Sequence, residues 1–393
     1  MRKAAPILLV AAVLAALAVG TTAGALSDPV EWTPDGLFYQ ARSLELRGHE
    51  HGDALRETFQ GPLGAELRRQ DPAHSGDPDW VAYNAKFYER RVAVPLAAAA
   101  LEPVAGDRAI LDISVAGYVA TILGLFLLLL MRFRLPVAAT VSLATIALPA
   151  LSHHASFPLT DTWGLALEIG ALGAGLLVLD RGPRWLPAWV ACLVVLSFTR
   201  DTTWIPIFAA AGLALHLRSK DTFLLLGTGL AAVVPALLAF TVPARELLAM
   251  MLNGIEPAPD ASWGFVAGHY PGAFVDFLQA NGGYVRDGAW YSAAYLLGGL
   301  ALLVLLTLRR ERTPTDMFLL AGALASVAVV LALPVFSALR LELVCLPMAA
   351  FGLAHGLEWA AERATKLARS RAPILQADPL TTGGRPAWGE KRP

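Results

Sequence analysis

The chain has 393 residues, of which 56% are hydrophobic and only 16% are charged, and its mean hydropathy is +0.53. These values exclude an ordinary water-soluble globular protein and favour one that crosses a lipid bilayer several times. The formal net charge of −1 provides no basic field, so nucleic acid is not expected as a partner.

Apolar segments recur from one end of the chain to the other. A membrane span needs about 20 mainly apolar residues, fewer where neighbouring helices cover its ends. The apolar core of the first segment, 4–26, is longer than that of a signal peptide, so we interpret the segment as a retained anchor. A cleaved signal peptide is the alternative, because residues 22–25 are rich in small side chains. Further candidates are 109–131, 137–151, 162–179, 185–198, 204–217, 222–242, 289–308, 317–336 and 341–359. The sequence therefore predicts an all-α fold, a polytopic transmembrane helix bundle of about ten spans.

Basic residues mark alternate short loops between these segments. The basic loops contain Arg132 and Arg134, Arg181 and Arg184, Arg218 and Lys220, and Arg309, Arg310 and Arg312. Loops of this kind face the cytoplasm. If the N terminus also starts there, about ten crossings leave every basic loop and the basic C-terminal tail in the cytoplasm. We therefore expect a protein of the cell (inner) membrane with both termini cytoplasmic.

This topology divides the chain into an anchor, two outer loops, a transmembrane bundle in two sections and a tail. The predicted boundaries are an anchor at 1–26, an extracytoplasmic loop with interfacial helices at 27–108, the first section of the transmembrane bundle at 109–242, a second extracytoplasmic loop at 243–288, the second section of the bundle at 289–360 and a basic, disordered cytoplasmic tail at 361–393. Segment 92–101 is apolar but too short to cross, so we interpret it as interfacial or re-entrant. A helix beginning near Tyr83 is expected to run into it.

Asp35 lies near the start of an amphipathic helix in the first outer loop. Leu37, Ala41 and Leu44 share one face of this helix, which ends near Gly48. An Asp at a helix start is commonly an N-cap that accepts backbone N–H groups. Local sequence favours that reading, and a catalytic carboxylate remains the alternative.

Two carboxylates lie on one face of the predicted span 162–179. Asp161 opens the span, and Glu168 lies seven residues further in, about 10 Å deeper at 1.5 Å per residue. A carboxylate inside a membrane needs a partner or a cavity. The pair favours a polar cleft that enters the bundle from outside, over a capping residue at the surface.

Two arginines interrupt outer loops that otherwise avoid basic residues. Arg200 precedes Asp201 at the end of one span, and Arg340 precedes Glu342 at the start of another. Each is equally consistent with a local ion pair or snorkelling side chain, and with a donor that grips the phosphate of a lipid-linked substrate.

The sequence gives little support to a metal site, a nucleotide site or a serine-hydrolase site. His153 and His154 are adjacent, point in different directions and belong to no spaced ligand set, so no metal site is predicted. Nucleotide-binding and serine-hydrolase motifs are missing from the sequence. No cofactor is predicted; a divalent cation stays open, although no ligand motif in the sequence supports it.

Several stretches together resemble the GT-C glycosyltransferases over roughly the first 220 residues. They are DGLFYQARSL at 35–44, FYERRVAVPL at 87–96, LTD at 159–161 and SFTRD at 197–201. The resemblance implies an enzyme that moves a sugar from a polyprenyl-phosphate carrier to a glycan, lipid or protein acceptor at the outer face of the membrane. Many members carry paired acids in the first loop, whereas Gly36 follows Asp35 here and Glu31 is the nearest candidate substitute.

The resemblance also assigns roles. Asp35 would take the proton of the acceptor hydroxyl, and Arg90, Arg91, Arg200 and Arg340 would hold the donor phosphate. The full predicted substrate-binding set is Arg90, Arg91, Asp161, Glu168, Arg200, Asp201, Arg340 and Glu342.

Two other functions stay open. A transporter or lipid flippase needs polar residues at mid-bilayer, where this chain has mainly Glu168. A non-catalytic partner in envelope assembly would tolerate loss of Asp35. The enzyme hypothesis differs from both because it requires outer-face acids and arginines to converge on one cleft.

Overall fold

The computed structural model describes residues 4–239, 242–309, 313–334 and 338–371, and every regular element within these ranges is helical. The α-helices are α1 (Ala5–Thr21), α2 (Ala23–Ser27), α3 (Pro34–Leu46), α4 (His51–Leu55), α5 (Ala65–Gln70), α6 (Pro78–Ala85), α7 (Ala93–Ala105), α8 (Ala109–Leu130), α9 (Leu135–Ile146), α10 (Pro149–Ala155), α11 (Asp161–Arg181), α12 (Leu186–Ser197), α13 (Trp204–Leu217), α14 (Lys220–Ala239), α15 (Ala244–Leu252), α16 (Trp263–Tyr284), α17 (Trp290–Arg309), α18 (Pro314–Ala332) and α19 (Leu346–Arg371). Short 3₁₀ turns cover Gly106–Arg108, Pro183–Trp185, Asp201–Thr203 and Glu342–Cys345, and π-helical turns cover Arg56–Gln60 and Val285–Ala289. The predicted all-α class is confirmed.

Several of these helices are suited to a bilayer. Six described stretches are long and apolar enough to cross one, or seven if α9 and α10, bent by 64° at their junction, form one broken span. The stretches are Ala93–Leu130, Asp161–Arg181, Lys220–Ala239, Trp263–Leu308, Pro314–Ala332 and Glu342–Leu367. The protein is therefore a multi-pass membrane protein.

The count of about ten spans is not confirmed. Helix α1 has 17 residues, α12 has 12 and α13 has 14. At 1.5 Å per residue each is shorter than the hydrocarbon core of about 30 Å. Parts of the predicted pattern lie outside the described residues, namely Arg2 and Lys3, 240–241, Arg310 and Arg312, 335–336 and 372–393.

The bundle core combines close helix crossings with buried aromatic residues. A Cβ added at Gly352 of α19 would lie 1.9 Å from the carbonyl oxygen of Gly299 in α17, so only glycine permits this crossing. Trp189 of α12 is fully buried and donates its indole N–H to the Leu225 carbonyl of α14 at 3.1 Å. Small residues bring some backbones together, and a large satisfied side chain fills the space elsewhere.

The first predicted outer loop, 27–108, which we call the first outer segment, has its own core. Leu37, Phe38 and Leu44 of α3 pack with Phe59 and Trp80 in one buried cluster. This confirms the apolar face that the sequence predicts for the first amphipathic helix. The cluster fixes the orientation of α3, and with it the direction of Asp35.

The second predicted helix of this segment is wrong in its extent. Helix α6 ends at Ala85, a non-helical turn follows, and α7 begins at Ala93, so Tyr83 and the 92–101 segment lie on different helices. The Ala93 N–H donates to the Phe198 carbonyl at 3.1 Å, and this contact with the end of α12 fixes the start of α7. Because the chain turns here, Tyr88, Arg90 and Arg91 project from a loop.

The second predicted outer loop, 243–288, which we call the second outer segment, docks on the first outer segment. The joining contacts are Lys86 with Glu246, the Trp80 indole N–H with the Ile255 carbonyl at 3.1 Å, His74 Nε2 with Glu256 Oε1 at 3.0 Å, and the Ala258 N–H with the Tyr83 hydroxyl at 3.0 Å. These bonds join the two loops, which are far apart in sequence, into one structure.

The predicted disordered tail also needs correction. Helix α19 continues through 361–371 and ends at Arg371, so this portion of the tail is helical. The sequence of 361–371, AERATKLARSR, is rich in good helix formers, which accounts for the extension.

Candidate functional site

Asp35 is not the cap of its helix. The side chain of Thr33 accepts the Gly36 N–H at 3.1 Å and occupies the N-cap position, with Pro34 at the first helical position. The favoured N-cap interpretation of Asp35 is therefore wrong. Its carboxylate instead accepts the Tyr88 hydroxyl at 2.5 Å and pairs with Arg340 Nη1 at 2.6 Å.

Arg340 also binds Asp161. Its Nε lies 2.7 Å from Asp161 Oδ1, so one guanidinium joins two aspartates from different regions of the chain. The backbone just before it is left-handed, with φ of 50° at Ala338 and 64° at Leu339. Non-glycine residues rarely adopt this conformation, and it clusters at functional sites. His154 Nε2 supports the segment by contacting the Ala338 carbonyl at 3.2 Å.

Arg200 is a second arginine that contacts Asp161. Its Nη1 pairs with Asp161 Oδ1, the same oxygen that Arg340 binds. Only 9% of Arg200 is exposed, and its aliphatic stem crosses α11 at Gly164. A Cβ added at Gly164 would lie 2.7 Å from Arg200 Cγ, so the glycine makes room for the arginine.

Arg90 and Arg91 form a second pairing with Asp201. Arg90 contacts Asp201 Oδ1, and Arg91 Nη2 lies 3.0 Å from Oδ2. Arg91 Nη1 also donates to the Tyr39 hydroxyl at 3.1 Å, and the Thr160 hydroxyl reaches the same oxygen at 3.1 Å. Fully buried Tyr39 thus connects α3, the loop before α7 and the start of α11.

We call this set of ionic residues the arginine–aspartate cluster. Its members are Asp35, Arg90, Arg91, Asp161, Arg200, Asp201 and Arg340. With one more arginine than aspartate, the cluster has a net positive charge and is suited to an anionic group such as a phosphate.

The ionisation state of Asp35 follows from its neighbours. Burial alone would raise its pKa, but the charge of Arg340 and the Tyr88 hydrogen bond outweigh burial and hold that pKa below its usual value. Burial, together with the negative charge of Asp35, raises the pKa of Tyr88 well above its usual value. At neutral pH Asp35 is a carboxylate and Tyr88 is its neutral donor.

The Arg90 guanidinium stays protonated although it is partly buried. Burial, followed by the like charge of Arg91, lowers the pKa of Arg90 to about 10. The guanidinium of Arg90 is therefore still protonated at neutral pH and is available to an anion that displaces Asp201.

A small cavity lies beside the cluster, inside the bundle. Its volume is about 20 Å³, and its polar lining consists of His154, Asp161, Thr162, Glu168, Arg200, Thr202 and Arg340. Asp161 and Glu168 therefore share one cavity, on the face of α11 that their sequence spacing predicts. Glu168 is completely buried.

Glu342 has a different place from the other predicted site residues. The Asn281 amide of α16 donates to Glu342 Oε1 at 3.0 Å and connects that helix to the turn Glu342–Cys345. Glu342 is not among the described residues that line the cavity.

Steric packing explains why glycine follows Asp35 where many GT-C members have a second acidic residue. A Cβ at Gly36 would lie 2.7 Å from Pro158 Cγ and 3.0 Å from its carbonyl oxygen, so α3 packs against the segment before Asp161 only with glycine there. Glu31 lines a separate cavity on the outer segment, together with Trp32 and Asp107.

The cluster does not fit a divalent cation. Each of its aspartates already contacts at least one arginine, and guanidinium groups repel a cation. Across the described ranges, no group of three or more His, Cys, Asp or Glu residues could hold a metal ion.

Sequence reasoning missed Tyr39, Tyr88 and Thr33. Tyr39 and Tyr88 lie within the stretches that resemble GT-C sequences, but a tyrosine in an amphipathic helix or turn reads equally well as packing. Thr33 before Pro34 is an N-cap signal that could have separated Asp35 from the capping role.

Comparison of the sequence with models of known protein families gave no match. Comparison with curated proteins also gave no match.

Proposed function

We propose that this protein is a GT-C-like membrane glycosyltransferase that moves a sugar from a polyprenyl-phosphate carrier to an acceptor hydroxyl at the outer face of the membrane. The observation that carries the proposal is the convergence of Asp35 with arginines from distant regions of the chain. A sugar linked to a lipid phosphate needs a base for the acceptor and cations for the leaving phosphate, and this arrangement supplies both.

The arginines would bind the donor by exchanging partners. A phosphate has oxygen acceptors that match the paired N–H groups of a guanidinium, as the aspartates do now. Arg200 and Arg340 share a single oxygen of Asp161, so that carboxylate does not use their full donor capacity. A phosphate placed between them would complete it and would stabilise the charge that develops on the leaving group.

Movement of Arg340 would activate Asp35. The Arg340 charge keeps the pKa of Asp35 low and makes it a weak base in the present arrangement. When Arg340 turns to the phosphate, that pKa rises and Asp35 becomes a better proton acceptor. The acceptor oxygen then bonds to the anomeric carbon, the carbon–phosphate oxygen bond breaks with its electrons going to the phosphate, and Asp35 takes the hydroxyl proton.

The proposal includes the topology that the basic loops predict. Counting the short helices α1, α12 and α13 as spans sheltered by their neighbours gives about ten crossings, with both termini in the cytoplasm. The polyprenyl chain would lie in the bilayer beside the bundle, and the acceptor would be a glycan, lipid or protein of the cell envelope.

Mass spectrometry of envelope glycans and polyprenyl-linked sugars tests this function. Cells that lack the gene would be complemented with wild type, Asp35→Asn or the control Asp260→Asn, at equal membrane abundance. Asp260 is exposed on the second outer segment and is not a member of the cluster. We expect loss of one glycan sugar and accumulation of its lipid-linked donor, with rescue by wild type and Asp260→Asn only. Full rescue by Asp35→Asn would contradict the proposal.

A transporter of lipid phosphates is the second candidate, because Glu168 places a carboxyl inside a span-forming helix. Purified protein in detergent separates the two functions, since no membrane divides two compartments there. Sugar transfer in detergent supports the enzyme, whereas movement of a prenyl phosphate across proteoliposomes without sugar transfer supports the transporter. A protein that does neither would fit an assembly partner.

A further inference from the structure

Glu168 ends in a cavity that gathers unpaired polar atoms. Both of its carboxyl oxygens are buried without a hydrogen-bond partner among the described residues. The same holds for Asp161 Oδ2 and Thr202 Oγ1, and all three residues line the one cavity beside the arginine–aspartate cluster. Buried polar groups are rarely left unpaired, so this concentration points to a shared ligand.

The cavity has the size of a water site. Its volume of about 20 Å³ slightly exceeds what one water molecule needs. A buried water typically makes about three hydrogen bonds to groups that are otherwise unsatisfied. The unpaired groups of its lining include the Glu168 carboxyl, Asp161 Oδ2 and Thr202 Oγ1.

A proton satisfies Glu168 better than a metal ion does. An ionised carboxylate inside a bundle is costly unless a cation pairs with it, and the nearby guanidinium groups of Arg200 and Arg340 already pair with Asp161. The same two guanidinium groups repel a metal cation. A neutral carboxylic acid removes the charge and provides the O–H donor that a water bound to Asp161 can accept.

We propose that Glu168 is a protonated acid at neutral pH that donates through one water in this cavity to Asp161 Oδ2. Glu168 is then a positioning residue: it holds Asp161, and Asp161 holds Arg200 and Arg340. The ionisable groups that face it are His154, Asp161, Arg200 and Arg340 around the cavity and Cys345 on the adjoining turn. The proposal stands whether or not the protein transfers sugars.

Infrared spectroscopy tests the protonation state directly. The purified full chain in lipid nanodiscs would be compared with Glu168→Gln and with Glu50→Gln, which changes an exposed glutamate at the start of α4. We expect the C=O stretching band of a protonated carboxylic acid at pH 7 in wild type and Glu50→Gln, and its loss in Glu168→Gln. The band should shift in D₂O because the water exchanges. A missing wild-type band, or one that survives in Glu168→Gln or ignores D₂O, overturns the proposal.

Binding of farnesyl phosphate tests the positioning role. Glutamine keeps an N–H donor toward the water and should preserve the affinity within about twofold, whereas Glu168→Leu should weaken it about tenfold, the size of one hydrogen bond to a charged group. Equal affinities for the leucine variant and wild type would contradict the positioning role. If wild type binds no farnesyl phosphate, the proposed function fails, and the infrared band still decides the state of Glu168.

Discussion

Arg340 holds Asp35 and Asp161 together: its Nη1 lies 2.6 Å from Asp35 Oδ2, and its Nε lies 2.7 Å from Asp161 Oδ1. The two aspartates come from the first outer segment and from the start of α11, and the arginine follows the left-handed backbone at 338–339. The candidate site therefore forms only when distant regions of the chain have folded against each other.

Because Arg340 contacts both aspartates, we expect Arg340→Lys to reduce activity strongly. A lysine keeps the charge, but its N–H donors all leave one nitrogen and cannot reproduce the planar fork that places Nη1 on Asp35 and Nε on Asp161. We expect sugar transfer to fall by about 100-fold, the size seen when one preorganised donor is lost from a site that stabilises an anion. Kinetics with a prenyl-phosphate sugar measure this. Arg286→Lys, at an exposed position, is the control and should retain activity; equal rates for both variants would remove Arg340 from the mechanism.

Gly164→Ala should displace Arg200. The added Cβ would lie 2.7 Å from Arg200 Cγ, whereas a Cβ at Gly173 in the same helix meets Leu128 at an ordinary 3.6 Å. We expect Gly164→Ala to lower activity about tenfold, because a small misplacement at a reactive site is costly. Gly173→Ala should keep full activity and gain up to about 1 kcal/mol of helix stability. Activity and thermal unfolding, measured for both variants, check this, and full activity in Gly164→Ala would show that Arg200 can move freely.

Tyr88→Phe should change the pH dependence of catalysis. The Tyr88 hydrogen bond helps to hold the pKa of Asp35 low, so its loss raises that pKa. A base acts only when deprotonated, and the acidic limb of kcat/KM should therefore move to higher pH. Tyr83→Phe is the control, because the Tyr83 hydroxyl belongs to the same segment but accepts the Ala258 N–H. The acidic limb of kcat/KM should stay in place in this variant. An unchanged limb in Tyr88→Phe would argue against Asp35 as the base.

The contact between the outer segments should weaken as pH rises. Hydrogen bonds that His74 donates to the carboxylates of Glu256 and Asp71 raise the pKa of His74 above its usual value of about 6.5. A raised folded-state pKa means that the stabilisation is fully present below the usual pKa and is lost as pH rises through the folded-state value. Hydrogen exchange, corrected for its intrinsic pH dependence, should show greater protection of 253–260 at pH 6 than at pH 9. His74→Gln should abolish the difference; its persistence would assign the effect to another group.

Cysteine labelling tests the topology. In a variant without Cys192 and Cys345, Ser27→Cys should react with an impermeant maleimide added outside intact cells. Gly182→Cys lies in a predicted cytoplasmic loop and should react only after the membrane is opened. The reverse pattern would invert the topology and place the cluster on the cytoplasmic side.

Some features were predictable because they belong to a segment rather than to the fold. Hydropathy is such a property, and it predicted the all-helical, membrane-crossing class of the chain. Helical periodicity placed Asp161 and Glu168 on one face for the same reason. The exact helix ends were less predictable, since neighbouring elements decide them, as the Phe198 carbonyl does at the start of α7.

The composition and order of residues by themselves determined that this is a helical membrane protein with isolated acidic and basic residues beside its apolar segments. Only the tertiary structure decided that Tyr88 and Arg340 bind Asp35 and that Asn281 binds Glu342. The physical reason is range: burial preference acts on each segment separately, whereas an ion pair or hydrogen bond forms only when packing brings its two atoms within about 3 Å.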